Sequence, residues 1–141
     1  MRIIRKLITL ILLVVLGYST FELYKIYKTN RDEHEALKVI NEIATPKDSH
    51  KDIIGEDIIK MKEINQDVVG YLKFDTELIA EPIVQTTDNS YYLYYDINHN
   101  YNDFGTVFMD YRNTLEDTNM IMYGHAGIYA GAQKFSNLNA L

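Results

Sequence analysis

Among the side chains able to do chemistry, His125 stands apart. It follows the apolar run 119–123 and lies in Tyr123-Gly124-His125-Ala126-Gly127, where glycines permit a tight backbone and the close approach of another chain. An imidazole there is placed like a general acid/base that must meet a substrate. On spacing alone, a histidine simply satisfied at a strand end is the commoner outcome, so both readings stay open. The same glycines form no phosphate loop, since neither GxGxxG nor a Gly-Lys-Ser/Thr ending is present. His34, His50 and His99 show no i, i+4 pair and no HExxH pattern, so a preformed metal site is not indicated. His34 and His50 read as surface residues on a helix and a linker. Asp96-Ile97-Asn98-His99-Asn100 opens like a calcium loop, but Tyr101 stands where that loop needs Gly and Val107 where it needs a bidentate Glu. A solvated hairpin turn is expected there, and no metal or cofactor anywhere. Tyr91, Tyr92, Tyr94 and Tyr95 could line a groove, though alternation along a half-buried strand explains them more cheaply.

Composition narrows the chemistry further. The sequence has 141 residues, enough for one domain, and no cysteine. The missing thiol removes disulfides, thiolate zinc sites and a cysteine nucleophile from what this polypeptide does alone. Neither Ser90 nor Ser136 lies in a motif that would make it a substitute. The net charge is −6, and Lys73, Arg112 and Lys134 are the three bases after Asn65 against ten acids. That balance offers no footprint for a phosphate backbone, so nucleic acid is not an expected partner. Seventeen isoleucines and 12 tyrosines argue against a disordered chain.

The elements that must position His125 begin with a membrane signal. Residues 1–6 form a basic tail carrying Arg2, Arg5 and Lys6, followed by an uncharged run of 15 residues, 7–21. Extended to Tyr27, residues 7–27 reach the roughly 20 needed to cross a bilayer, with Glu22 and Lys25 at the outer interface and Tyr18, Tyr24 and Tyr27 as an aromatic belt. The basic flank places the N-terminus in the cytoplasm and everything after Tyr27 outside: a single-pass cell-membrane protein with an extracellular C-terminal part. A cleaved signal peptide competes, because Gly17-Tyr18-Ser19 is a passable cleavage site; helical periodicity continuing past it favours the retained anchor.

Residues 28–66 read as membrane-proximal helices. Residues 31–44 carry Leu37, Ile40 and Ala44 on one stripe, with Asp32, Glu33 and Glu35 in the first turn. Thr45-Pro46 ends that helix and 46–51 is a polar linker. Ile54, Ile58 and Met61 then repeat at helical spacing until Asn65. From Val68 the pattern changes to strands at 68–74, 78–85, 91–95, 106–110 and 119–123, separated by turn-rich stretches at 86–90 and 96–103. The fold class is mainly β with N-terminal helices, and the even spacing suggests a barrel or sandwich.

Five blocks in series resemble the class B sortases: Ile64-Asn65-Gln66-Asp67-Val68-Val69-Gly70-Tyr71-Leu72, Pro82-Ile83-Val84-Gln85, Asp88-Asn89-Ser90-Tyr91-Tyr92-Leu93, Gly105-Thr106-Val107-Phe108-Met109-Asp110-Tyr111-Arg112-Asn113 and Tyr123-Gly124-His125. Sortases of this class are membrane-tethered cysteine transpeptidases of Gram-positive bacteria, built on a β-barrel. The resemblance implies that residues 67–141 are the N-terminal part of such a barrel behind a transmembrane helix. It implies that a sorting-motif peptide and an amine of peptidoglycan or a pilin are the partners, and that His125 is the catalytic acid/base. The family's cysteine and catalytic arginine lie in the part that follows Leu141, and Arg112 is not the latter. Gln66, Tyr95 and Ala126-Gly127 depart from the usual residues. The expectation is therefore the front part of a sortase, truncated by a frameshift, a stop codon or an incomplete gene model, and inactive alone. The alternative is an inactive membrane-tethered peptide-binding module or one half of a two-chain assembly.

Overall fold

The computed structural model describes residues 2–45, 55–74, 79–126 and 135. The linker expected at 46–51, His50, Gly127 and Ser136 lie outside the described residues.

The anchor run and the first amphipathic stretch are one continuous helix, α1 (Arg2–Ala44). No glycine pair or proline interrupts the sequence between them, so nothing stops the helix until Thr45, which precedes Pro46. Its two ends differ. From Ile3 to Tyr27 the large apolar side chains are exposed, whereas Glu33, Ile40 and Ala44 are buried. The buried set recurs at helical spacing and marks the face laid against the domain.

The second helix, α2 (Gly55–Ile64), carries Glu56 and Asp57 in its first turn and Lys62 in its last. Both placements complement the helix dipole. Asn65 stops α2. Its N–H bonds to the Met61 carbonyl (3.2 Å) while its side-chain oxygen accepts from the Asp67 N–H (2.8 Å), which turns the chain into the first strand.

Four strands form one mixed sheet in sequence order: β1 (Val68–Lys73), β2 (Ala80–Val84), β3 (Phe108–Met109) and β4 (Met122–Tyr123). β1 and β2 are antiparallel, with a register shift between Val68 and Gly70. β2 and β3 are parallel and β3 and β4 antiparallel. Alternation puts Val84 and Phe108 on the face packed by Ile40, Met61, Tyr92 and Ile97, and Ile83, Val107 and Met109 on the other. Each fully buried aliphatic side chain of this kind contributes about 1.5–3 kcal/mol. The described residues form an open sheet rather than a closed barrel.

The strand expected at 91–95 is instead a 3-10 turn, Tyr91–Leu93, followed by a single bridge between Tyr95 and Tyr101. The Asp88 carboxylate causes the difference, since Oδ1 accepts from the backbone N–H groups of Ser90 (2.6 Å) and Tyr91 (2.8 Å) and winds the chain before it can extend. Tyr91 and Tyr95 do share one side, as a parallel stack 4.4 Å apart, while Tyr92 is buried and Tyr94 exposed. The strands expected at 106–110 and 119–123 are present but shorten to two residues each.

The turn that begins at Asp96 is solvated at its tip, where His99, Asn100 and Tyr101 are exposed, but anchored inside at its start. Asp96 is fully buried, and its Oδ1 accepts from the N–H groups of Asn98 (2.9 Å) and Asn100 (2.8 Å). Burial pushes its carboxyl above the usual carboxylate range. His99 takes the left-handed conformation at φ 61° that this tight loop requires.

Candidate active site

The connection from β3 to β4 builds the platform on which His125 stands. Asp110, 1% exposed, ends β3 and gathers donors from three directions. Arg112 grips it with Nε on Oδ1 (2.9 Å) and Nη2 on Oδ2 (2.8 Å), and the Arg112 backbone N–H also donates to Oδ1 (2.9 Å). Asn89 Nδ2 and the Tyr123 hydroxyl both donate to Oδ2 at 3.0 Å. The Arg112 guanidinium, with the other donors, holds this carboxyl well below the usual range.

Around this hub the backbone is pinned by amides. Gln85 Nε2 donates to the carbonyls of Asp110 (2.9 Å) and Asn113 (2.8 Å), which ties the end of β2 to the turn after β3. Asn113 Oδ1 accepts from the Ile121 N–H (2.8 Å), and the Asp110 N–H donates to the Ile121 carbonyl (2.9 Å). The entry to β4 is thus fixed from both sides. Phe108 and Tyr123, paired across β3 and β4, bring their rings to 5.2 Å.

His125 leaves this platform two residues after Tyr123. Its side chain is half-buried and makes no hydrogen bond with any described residue. The space beside Gly124 is filled by this chain's own Phe135, whose ring would stand 3.0 Å from a Cβ there. The Phe135 N–H donates to the His125 carbonyl (3.1 Å).

The other singled-out histidines stand apart from this platform. His34 is exposed on α1, and His99 is exposed with Nδ1 3.1 Å from the Tyr91 hydroxyl. Among the described residues no group of three or more His, Cys, Asp or Glu side chains could hold a metal ion. Arg112 commits Nε and Nη2 to Asp110, and its side chain is otherwise exposed.

Sequence reasoning quoted Asp110, Arg112, Asn113, Asn89 and Gln85 without giving them a task. Their signal was present: an acid two residues before an arginine, directly after an apolar strand, is spaced for a local fork. The distant partners Asn89 and Gln85 carry no such spacing.

Comparison with known proteins fixes the lineage. No family model matches the chain. Sortase B of Listeria monocytogenes is 36% identical over 122 residues, 80% of this chain and 49% of that protein. Sortase B of Staphylococcus aureus is 27% identical over 122 residues, 85% of this chain and 49% of that protein. The crystal structure of sortase B from B. anthracis superposes with a TM-score of 0.62 and 31% identity, covering 82% of this chain and 54% of that one. The chain belongs to the class B sortases. It spans about half the length of the curated sortase B relatives it matches. This sortase-family chain contains no cysteine in its 141 residues.

Proposed function

We propose that this chain carries the membrane anchor, the scaffold and the acid/base histidine of a class B sortase transpeptidase, with the nucleophile supplied from outside these 141 residues. One observation carries the reading: in a chain with sortase B kinship, His125 emerges from a polar platform with no hydrogen bond to its imidazole among the described residues. In the reaction a cysteine thiolate adds to the scissile amide carbonyl, an arginine stabilises the oxyanion, and His125 gives its proton to the departing amine as the C–N bond breaks. The thioester then accepts an amine, whose proton passes back to the imidazole as the thiolate leaves. A sortase B crystallised with triglycine and an S. aureus sortase B–substrate complex support a peptide donor and an amine acceptor as partners.

α1 supports the location. Its apolar part is exposed along its whole length, which a soluble protein would not tolerate, and Arg2, Arg5 and Lys6 precede it. In this reading residues 7–27 span the cell membrane of a Gram-positive bacterium, the basic tail is cytoplasmic and the sheet is extracellular.

A chimera decides the matter. Joined to the cysteine- and arginine-bearing remainder of a related sortase B, the chain should transfer a labelled sorting peptide to an amine, and His125→Ala should lower that rate at least about 100-fold. An undiminished rate would remove His125 from the mechanism. The 141-residue chain alone should form no peptide adduct.

The absence of any cysteine and the outer edge of β4 favour a second reading. Among the described residues β4 pairs with β3 only. A strand from a cysteine-bearing partner chain could add there, making the protein one half of a two-chain assembly or a peptide-binding module without activity. Co-purification with such a partner would favour it over the single-chain form.

A further inference from the structure

The globular part is not hung loosely below α1; one loop is fastened back along it. Asn102 Nδ2 donates to Glu33 Oε2 at 2.6 Å, a buried bond between residues 69 apart in sequence. From that clasp toward the N-terminus, α1 between Glu22 and Asn30 and the loop 100–104 face each other across a cleft of about 370 Å³. The face that buries Glu33, Ile40 and Ala44 therefore continues down the helix beneath this loop.

Helix geometry converts that contact into a depth. A hydrocarbon core of roughly 30 Å takes about 20 residues at 1.5 Å each, so a span that starts at Leu7 leaves the core near Ile26. The headgroup layer, about 5–8 Å per side, then covers the next four or five residues. Of the helix residues facing the loop, Thr29 and Asn30 lie in that layer and Glu22, Lys25 and Ile26 in the last turns before it.

Its outward side chains suit the place. Tyr101 is 63% exposed and Tyr94 49%, and their rings lie parallel with centroids 6.4 Å apart. The Tyr101 hydroxyl donates to Asp103 Oδ1 (2.7 Å), which keeps the polar tip satisfied while the ring faces outward. Tyrosine rings with a bonded hydroxyl favour the boundary between lipid and water. Tyr27 on α1 is exposed at the same level.

We infer that Tyr94 and Tyr101 form a second membrane contact, seating the loop 94–104 in the phospholipid headgroup layer and holding the sheet at a fixed height and orientation beside its own anchor. The inference rests on the spanning role proposed for α1. The partner is a neutral lipid surface, because Glu22 and Lys25 at the contact pair with each other at 3.8 Å and the remaining charge, Asp103, opposes anionic headgroups.

Since the chain contains no tryptophan, one introduced residue reports alone. The full chain is reconstituted in phosphatidylcholine vesicles brominated at shallow or deep acyl positions, as Leu13→Trp, Tyr101→Trp and Tyr94→Trp variants. Leu13→Trp should be quenched most by the deep bromines. Tyr101→Trp and Tyr94→Trp should emit at shorter wavelength than in detergent-free buffer and be quenched most by the shallow bromines. Leu13→Trp quenched while both loop variants emit as in water would overturn the docking and leave the anchor standing. Loss of quenching at position 13 as well would overturn the anchor and the docking together. Both loop positions are exposed, so agreement between them guards against a local folding defect in either one.

Discussion

Between α2 and the loop 94–106, polar side chains are sealed inside and matched one to one, whereas beyond β3 apolar side chains turn outward. Asn65, Tyr92 and Asp96 are at most 3% exposed, and Asn65 Nδ2 donates to both the Tyr92 hydroxyl (2.9 Å) and the Ile97 carbonyl (2.8 Å). The Tyr92 hydroxyl passes its own proton to Asp67 Oδ2 at 2.7 Å. Thr106 Oγ1 completes the set on the Tyr95 carbonyl at 3.1 Å. By contrast Tyr111, Leu115, Met120 and Ile121 are each more than 40% exposed, and β4 is two residues long. The first region satisfies its buried groups from within and is rigid by construction. The second bears His125 and presents surface that another polypeptide segment could cover. His125 thus lies at the end of the sheet where the exposed apolar side chains gather.

The most damaging way to break the tied region is at Gly105. Its φ is 54°, and a Cβ there would stand 2.0 Å from the Tyr92 carbonyl oxygen and 2.7 Å from that of Leu93. Both neighbours are backbone atoms that cannot swing aside. Gly105→Ala should therefore cost on the order of 4 kcal/mol or more, since strain and overlap add. Urea unfolding of the full chain in detergent measures it, and a loss below about 1 kcal/mol would show that this turn is not as tightly held as the comparison requires.

Much of this division could be read in the residues themselves. The stripe Leu37, Ile40 and Ala44 gave the packing face of α1, because burial at 3.6-residue spacing is a local pattern. The place of His125 after an apolar run and beside glycines singled it out, while the acid/base role proposed for it came from the resemblance and not from spacing. The turn at 91–93 was not, because four tyrosines in five residues look like a strand until the Asp88 carboxylate is seen to capture two backbone N–H groups. The buried bonds of Asn65 and Asp96 were equally hidden. Their partners depend on which distant segments meet, and polar residues in turn-rich stretches read as solvated by default.

A smaller effect should follow from Tyr92→Phe, which keeps the ring but removes the hydroxyl shared by Asn65 and Asp67. Burial raises the ordinary phenol pKa here, so the group that is lost is a neutral donor and acceptor in the interior. Leaving its partners half satisfied should cost about 1–3 kcal/mol. The loss should appear in urea unfolding and in faster amide exchange at Asp67 and Ile97. Unchanged exchange at both would mean that the network does not rigidify the first region.

The platform under His125 should respond to acid. Asp110 has a folded-state pKa depressed chiefly by Arg112, so its contribution is fully present above the unfolded value of about 4. It is lost as pH falls from there through the folded value. Asp110→Asn keeps an acceptor for Tyr123 and Asn89 but removes the charge. The variant should be less stable than the parent at neutral pH, with the difference shrinking as pH drops below about 4. Melting curves taken across that window read the slope directly, and parallel curves for the two proteins would deny the carboxylate its charged role.

The faintest expected effect sharpens the contrast most. Ile121 is 43% exposed, and its backbone, not its side chain, joins β4 to the Asp110 turn. Ile121→Ser should therefore shift the stability of the 141-residue chain by less than about 0.5 kcal/mol, because little apolar contact is removed. When the chain is joined to the remainder of a related sortase B, the same substitution should become destabilising by about 1–2 kcal/mol, as a half-buried aliphatic side chain then has something to pack against. The quantity to compare is the difference between the two contexts in urea unfolding. An equal effect in both would mean that this face stays in water, and that the outward-turned apolar side chains beside His125 belong to the surface rather than to an interface awaiting its other half.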